Sequence, residues 1–146
     1  EAMSPTAFGL SVHNAIAALY SILRGERGNY VATAGGKATV ETACIEAASL
    51  LADGASEVLL VIYDAPLPGV YAGFADEPDA GFAWCWRLVA ADAALPTLHL
   101  AWMADGSDDT ASPLPHSLDV LRFLLAGDAT LDWRGDGIQW QWRRDA

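Results

Sequence analysis

Few residues in this chain have the type and spacing to do chemistry. Lys37, the only lysine, follows Gly35 and Gly36. A glycine-lysine pair at the start of a helix suggests a phosphate-binding loop, whose backbone N–H groups cradle an anion. That motif, G-x-x-x-x-G-K-[ST], needs glycine at position 31 and a hydroxyl at 38, where the chain has Val31 and Ala38. A lysine nucleophile or Schiff base would need burial or a neighbouring cation to lower its pKa. The plainer reading is a solvated side chain after a glycine turn. Ser11, His13 and Cys44 raise a Ser–His or Cys–His pair, but no motif supports it and Ser11 serves better as a helix N-cap. His13 then reads as packed at a helix start or a subunit interface. Cys44, Cys85, His13, His99 and His116 show no metal-ligand spacing, so no metal and no cofactor are expected.

The elements that must position Lys37 run from Ser11 to Gly54. Val12, Ile16, Leu19, Tyr20 and Leu23 recur at helical spacing, so Ser11 to Arg24 reads as a helix stopped by Gly25 and Gly28. Ser4 to Gly9 before it reads as a loop. Asn29 to Ala34 reads as a short strand and Lys37 to Asp53 as a helix. In that helix Val40, Ala43, Cys44, Ala47, Ala48 and Leu51 share one face, with Glu41 and Glu46 elsewhere. Glu57 to Tyr63 lacks alternation, as expected of a strand buried on both faces in a right-handed strand–helix–parallel strand crossover.

Beyond it, Asp64 to Asp79 reads as a long loop with acidic residues at 76, 77 and 79. Ala80 to Ala90 and Thr97 to Met103 read as strands. Ala104 to Ser112 reads as a flexible loop. Pro113 to Ala126 reads as a helix burying Leu114, Leu118, Leu121 and Leu125, and Gly127 stops it. Thr130 to Trp133 and Ile138 to Trp142 alternate around Arg134-Gly135-Asp136-Gly137, a hairpin signal. All six tryptophans fall in these second-half strands, where core or interface is the expected use.

The totals bound the answer. At 146 residues one domain spanning 1–146 is expected, and 53% hydrophobic residues can build its core. A net charge of −11 with 8 basic residues argues against nucleic acid and anionic membranes as partners. No apolar run reaches the roughly 18–20 residues that span a bilayer, and the first five residues do not form a signal peptide. The expected location is the cytoplasm, with Cys44 and Cys85 as buried free thiols.

The stretch from Ser11 to Gly54 resembles the nucleophile region of β-ketoacyl synthases in the thiolase superfamily. Asn14, Ala17, Gly25, Gly28, Thr33 and Ala34 keep much of that pattern. Counting 17 residues back from Gly54, or 23 forward from Asn14, lands on Lys37 at the position of the nucleophilic cysteine. Because Lys37 is not a thiol, the chain is more similar to chain length factors, the non-condensing partners of ketosynthases. Ser11 to Ala15 (S-V-H-N-A) and Asp64 to Pro68 (D-x-P-L-P) resemble the short type of aryl polyene pathways.

The resemblance implies an α/β fold: half of a thiolase-like fold, with a mixed central sheet and packed helices, lacking the strands that precede Ser4 in the family. It implies no catalytic residue of the chain's own. The family's catalytic histidines come from a second half, for which the 56 residues after Ala90 are too few. It puts Ala7, Phe8, His13, Asn14, Tyr30, Gly35, Gly36 and Lys37 at the acyl tunnel or subunit interface. Ala7 stands seven residues before the motif asparagine, where the family reaches into the partner's tunnel. The implied partners are a ketosynthase subunit or a second copy of the chain, and an acyl carrier protein through that complex. Two other classes stay open: a divergent acyl-transfer or decarboxylating enzyme, and a stand-alone homodimeric binding domain.

Overall fold

The computed structural model describes residues 4–12, 14–92 and 94–145, without the side chains at 7 and 11. The chain divides into two units, Glu1–Ala34 and Gly35–Ala146, each described by itself.

The first unit holds two helices, α1 (Pro5–Ser11) and α2 (Ala15–Arg24). The loop expected over Ser4 to Gly9 is therefore helical. Pro5 is the reason: at a first helical position its fixed φ suits the helix and its missing N–H costs nothing. Ser11 ends α1 rather than capping the next helix, and Asn14 stands at the N-cap of α2. Gly25 closes α2 in the left-handed conformation, φ 64°, donating its N–H to the Ser21 carbonyl. The residues of the expected apolar stripe, Val12, Ile16, Leu19, Tyr20 and Leu23, are all exposed. Residues 29–34 form no strand among the described residues, with Tyr30 and Val31 exposed. A strand exists only through its ladder, and no partner strand lies beside this segment among the described residues.

The second unit carries α3 (Thr39–Ala52), β1 (Val58–Asp64), a 3₁₀ turn (Gly69–Phe74), β2 (Phe82–Leu88), β3 (Leu98–Ala104), α4 (His116–Ala126), β4 (Thr130–Gly135) and β5 (Ile138–Arg144). The α/β class is as expected. The sheet, however, is present as two antiparallel ladders, β1–β2 and β3–β5–β4. Strand β1 buries one face: Leu60 and Ile62 face the core, while Leu59, Val61 and Tyr63 on the other face are exposed.

The register follows from alternation and one turn. Trp133 stands opposite Trp140, and Leu131 opposite Trp142. Asp136 and Gly137 turn the hairpin with φ 55° and 76°, the doubly positive pair that fits the strands' twist. Both ladders and both helices meet in one core, built from Val40 and Ala43 of α3, Ile62 of β1, Val120 and Phe123 of α4, and Trp142 of β5. Trp86 stands edge-on to Trp142 at 6.1 Å, joining the two sheets.

Three expectations about burial are corrected. Helix α4 buries His116, Val120 and Phe123 rather than the leucine stripe, and Leu125 is 79% exposed. The stripe is turned because a buried polar partner fixes His116 inward. Cys85 is exposed rather than buried, because it lies on the face of β2 opposite the core-facing Trp84 and Trp86. Glu41, placed off the buried face of α3 by its periodicity, is 0% exposed.

Phe123→Ala should cost about 3–5 kcal/mol by urea denaturation, since it empties the point where both sheets meet both helices. A loss below about 1 kcal/mol would contradict this core. Gly135→Ala should also destabilise, because a Cβ there would run into the Trp133 ring lying across it.

Candidate functional site

The turn before α3 is tied by its own side chains. Gly36 has φ 58°, a conformation only glycine holds cheaply. The Gly35 N–H donates to Thr39 Oγ1 at 3.1 Å, and that hydroxyl donates to the Gly36 carbonyl at 2.6 Å. This fixes Lys37 two residues ahead of the helix. A cation is unwelcome at a helix N-terminus, and here a carboxylate offsets it: Lys37 Nζ donates to Asp109 Oδ2 at 2.8 Å. That bond raises the Lys37 pKa above 10.5 and holds Asp109 below 3.8. Lys37 is thus a permanently charged ammonium, the opposite of what a Schiff-base or nucleophilic lysine requires.

Asp109 belongs to a segment that the sequence suggested would be flexible. Residues 105–112 lie instead along the β4–β5 hairpin. Asp105 donates its N–H to the Gly137 carbonyl, and Thr110 donates its own to the Arg134 carbonyl, both at 2.8 Å. Arg134 returns two bonds, from its N–H to Thr110 Oγ1 at 2.9 Å and from Nε to Asp105 Oδ2 at 2.8 Å. Hydrogen bonds from Ser107, and then from Arg134, hold the Asp105 carboxyl down to about 2. The Asp136 N–H also donates to Asp109 Oδ1 at 3.2 Å.

Beside this segment lies a cleft of about 270 Å³, lined among others by Lys37, Glu77, Asp109, His116 and Trp133. Its inner side rests on a buried polar centre. Glu41 Oε1 accepts from His116 Nε2 at 2.7 Å and from Trp142 Nε1 at 2.8 Å. With the carboxylate accepting at Nε2, the ring's other nitrogen, Nδ1, and the second carboxylate oxygen, Glu41 Oε2, are buried without a hydrogen-bond partner among the described residues. The imidazole stacks flat on Trp133, centroids 3.8 Å apart and planes 12° apart. The His116 N–H, at the start of α4, donates to Glu77 Oε1 at 2.7 Å. Burial raises the Glu77 carboxyl above 4.5 and that donor partly opposes it.

Gly35, Gly36 and Lys37 stand together in the second unit. Ala7, Phe8, Asn14 and Tyr30 fall in the first, where Phe8, Asn14 and Tyr30 are exposed. His13 lies outside the described residues, as does the Ala7 side chain. The Asn14 side chain makes no cap bond. Sequence reading missed Glu41, His116 and Trp142 as a group. One signal was available: Glu41 and Ala48, seven residues apart, lie almost on one line along α3, so the edge of the apolar stripe included a carboxylate. Cys44 is half-buried, and burial first, then Glu41, pushes its thiol up to about 12. It carries no nucleophile chemistry at neutral pH.

Comparison with known proteins gives two matches. A family model described as Beta-ketoacyl synthase, N-terminal domain, matches residues 1–143. A solved structure, a ketosynthase (ApeO) in complex with its chain length factor (ApeC) from Xenorhabdus doucetiae, matches with TM-score 0.83 and 28% sequence identity. The match covers 99% of this chain and 59% of that one, so this chain spans less than two thirds of the structure it resembles. No curated protein matches the chain. No helix among the described residues is long and apolar enough to cross a membrane.

His116→Ala should cost about 3–5 kcal/mol, because it strips a buried carboxylate of one of its two donors. The double replacement Glu41→Leu/His116→Met should cost less than that single one, and denaturation midpoints of the two variants decide it. Iodoacetamide at pH 8 should label Cys85 and spare Cys44 in intact-mass spectra. Labelling of Cys44 first would mean the α3–β1 packing opens readily.

Proposed function

The chain belongs to the β-ketoacyl synthase N-terminal domain family, and from that premise we propose that it serves as a chain length factor, the non-condensing partner of an active ketosynthase. The observation that carries this reading is the ion pair at the matched nucleophile position. Where a condensing enzyme needs a thiolate, this chain has Lys37, held charged against Asp109 at 2.8 Å. Neither thiol of the chain replaces it: Cys44 is held protonated by burial, and Cys85 sits in mid-strand on β2, away from the turn. The partner supplies the thiolate for decarboxylative Claisen condensation of carrier-bound acyl and malonyl units. This chain contributes to the wall of the acyl tunnel. The product is a polyene of the aryl type, made in the cytoplasm.

Two further observations support pairing. Helix α2 exposes a run of large apolar side chains, Ile22 at 76% and Leu23 at 81% among them, which marks a protein interface more often than solvent. The segment 29–34 belongs to no ladder among the described residues, so its backbone groups are available to another strand. In this proposal both elements face the ketosynthase, and Ala7 leaves room for a long chain in the tunnel.

Co-expression with the ketosynthase encoded beside it tests the reading. A stable one-to-one complex by light scattering is expected, with Lys37→Ala keeping most of the partner's condensing activity. A bulky Ala7→Phe should shorten the product. A monomer that ignores the ketosynthase, or loss of condensation in Lys37→Ala with the complex intact, would sink the proposal.

A further inference from the structure

The segment 105–112 closes one side of the Lys37 cleft, and its fastenings are of two kinds. At Asp105 and Thr110 it is held by paired backbone and side-chain bonds to Arg134 and Gly137. Between those points Gly106, Ser107, Asp108 and Asp109 are exposed. Their side-chain fastenings include Ser107 folded back on Asp105, and Asp109 held by the Lys37 ammonium and the Asp136 N–H. The other lining of the same cleft includes His116, 1% exposed, with Nδ1 unpartnered among the described residues.

The two sides of the cleft therefore pull against each other. The Lys37–Asp109 bond favours closure, and a buried nitrogen without a partner favours admitting water, since leaving it unmet is costly. We propose that residues 105–112 are a strap latched by the Lys37–Asp109 ion pair, whose release opens the cleft and lets water reach His116. This goes beyond the chain length factor reading and stands or falls independently of it. Lys37 acquires a positive role, as the fixed post to which the strap is tied. The strap opens as a local event, leaving α3, α4 and the β4–β5 hairpin folded, because none of their core side chains is held by it.

Hydrogen-exchange mass spectrometry on the full chain tests this. In Lys37→Met and Asp109→Asn, peptides over 105–112 should exchange about three- to fivefold faster, the scale of a partly exposed ion pair. Peptides over α3 and β4–β5 should keep their wild-type rates. In wild type, 1 M sodium chloride should produce the same acceleration by screening the pair, and in the variants it should add little. Carbethoxylation of His116 should speed up by the same factor as the strap. Unchanged strap exchange in both variants and in salt would overturn the proposal. So would an acceleration shared equally by α3 and β5, or a loosened strap that leaves His116 no more reactive.

Discussion

The second unit depends on one buried carboxylate. Glu41 is wholly shielded from solvent, and donors that meet its Oε1 offset part of the cost of burying a charge there. Two donors come from distant parts of the chain, His116 at the start of α4 and Trp142 on β5. Each bond crosses a gap that apolar packing alone would leave free to slide. Together they set which face α4 presents, where β5 lies against α3, and how the hairpin is seated. A buried polar centre of this kind specifies an arrangement more than it adds stability, because desolvating the carboxylate consumes much of what the bonds return.

The influence of that centre extends to the surface. With Nε2 committed to Glu41, the His116 ring is fixed in plane, and Trp133 stacks on it. Trp133 in turn lies over Gly135, just before the turn whose Asp136 N–H supports Asp109. Lys37 at the head of α3 and Asp109 beside the hairpin thus meet because the buried centre has already placed both supports. A permanently paired ammonium at this point fits the proposed non-condensing role, in which the scaffold is kept without its thiolate.

Much of this scaffold was legible in order along the chain. The helix after Gly35-Gly36, the strands at 58–64, 82–88 and 98–104, and the hairpin at its Asp136-Gly137 turn all follow from local patterning. The family was legible too, from the spacing of Asn14, the glycines and Gly54. The lack of a ladder at 29–34 and the one-sided burial of β1 were not, because the first depends on which strands stand alongside and the second on what packs over each face. Cys85 was misplaced for the same reason. Alternation shows that a strand has two faces, and says nothing about whether either is covered.

The sequence by itself determined the element types of the second unit and that a lysine, not a thiol, stands in the turn before α3, because helix period, turn chemistry and residue identity are local. It also determined that Lys37 is the one lysine available for that place. Tertiary structure alone decided that Glu41 is buried, that α4 turns His116 rather than its leucines inward, and that Lys37 is tied to Asp109. The bonds behind these outcomes join residues 72, 75 and 101 positions apart, and no local propensity carries information across such distances. A charged residue on a helix is by default a solvated one, and only the arrival of two donors from elsewhere makes burying it cheaper than leaving it in water.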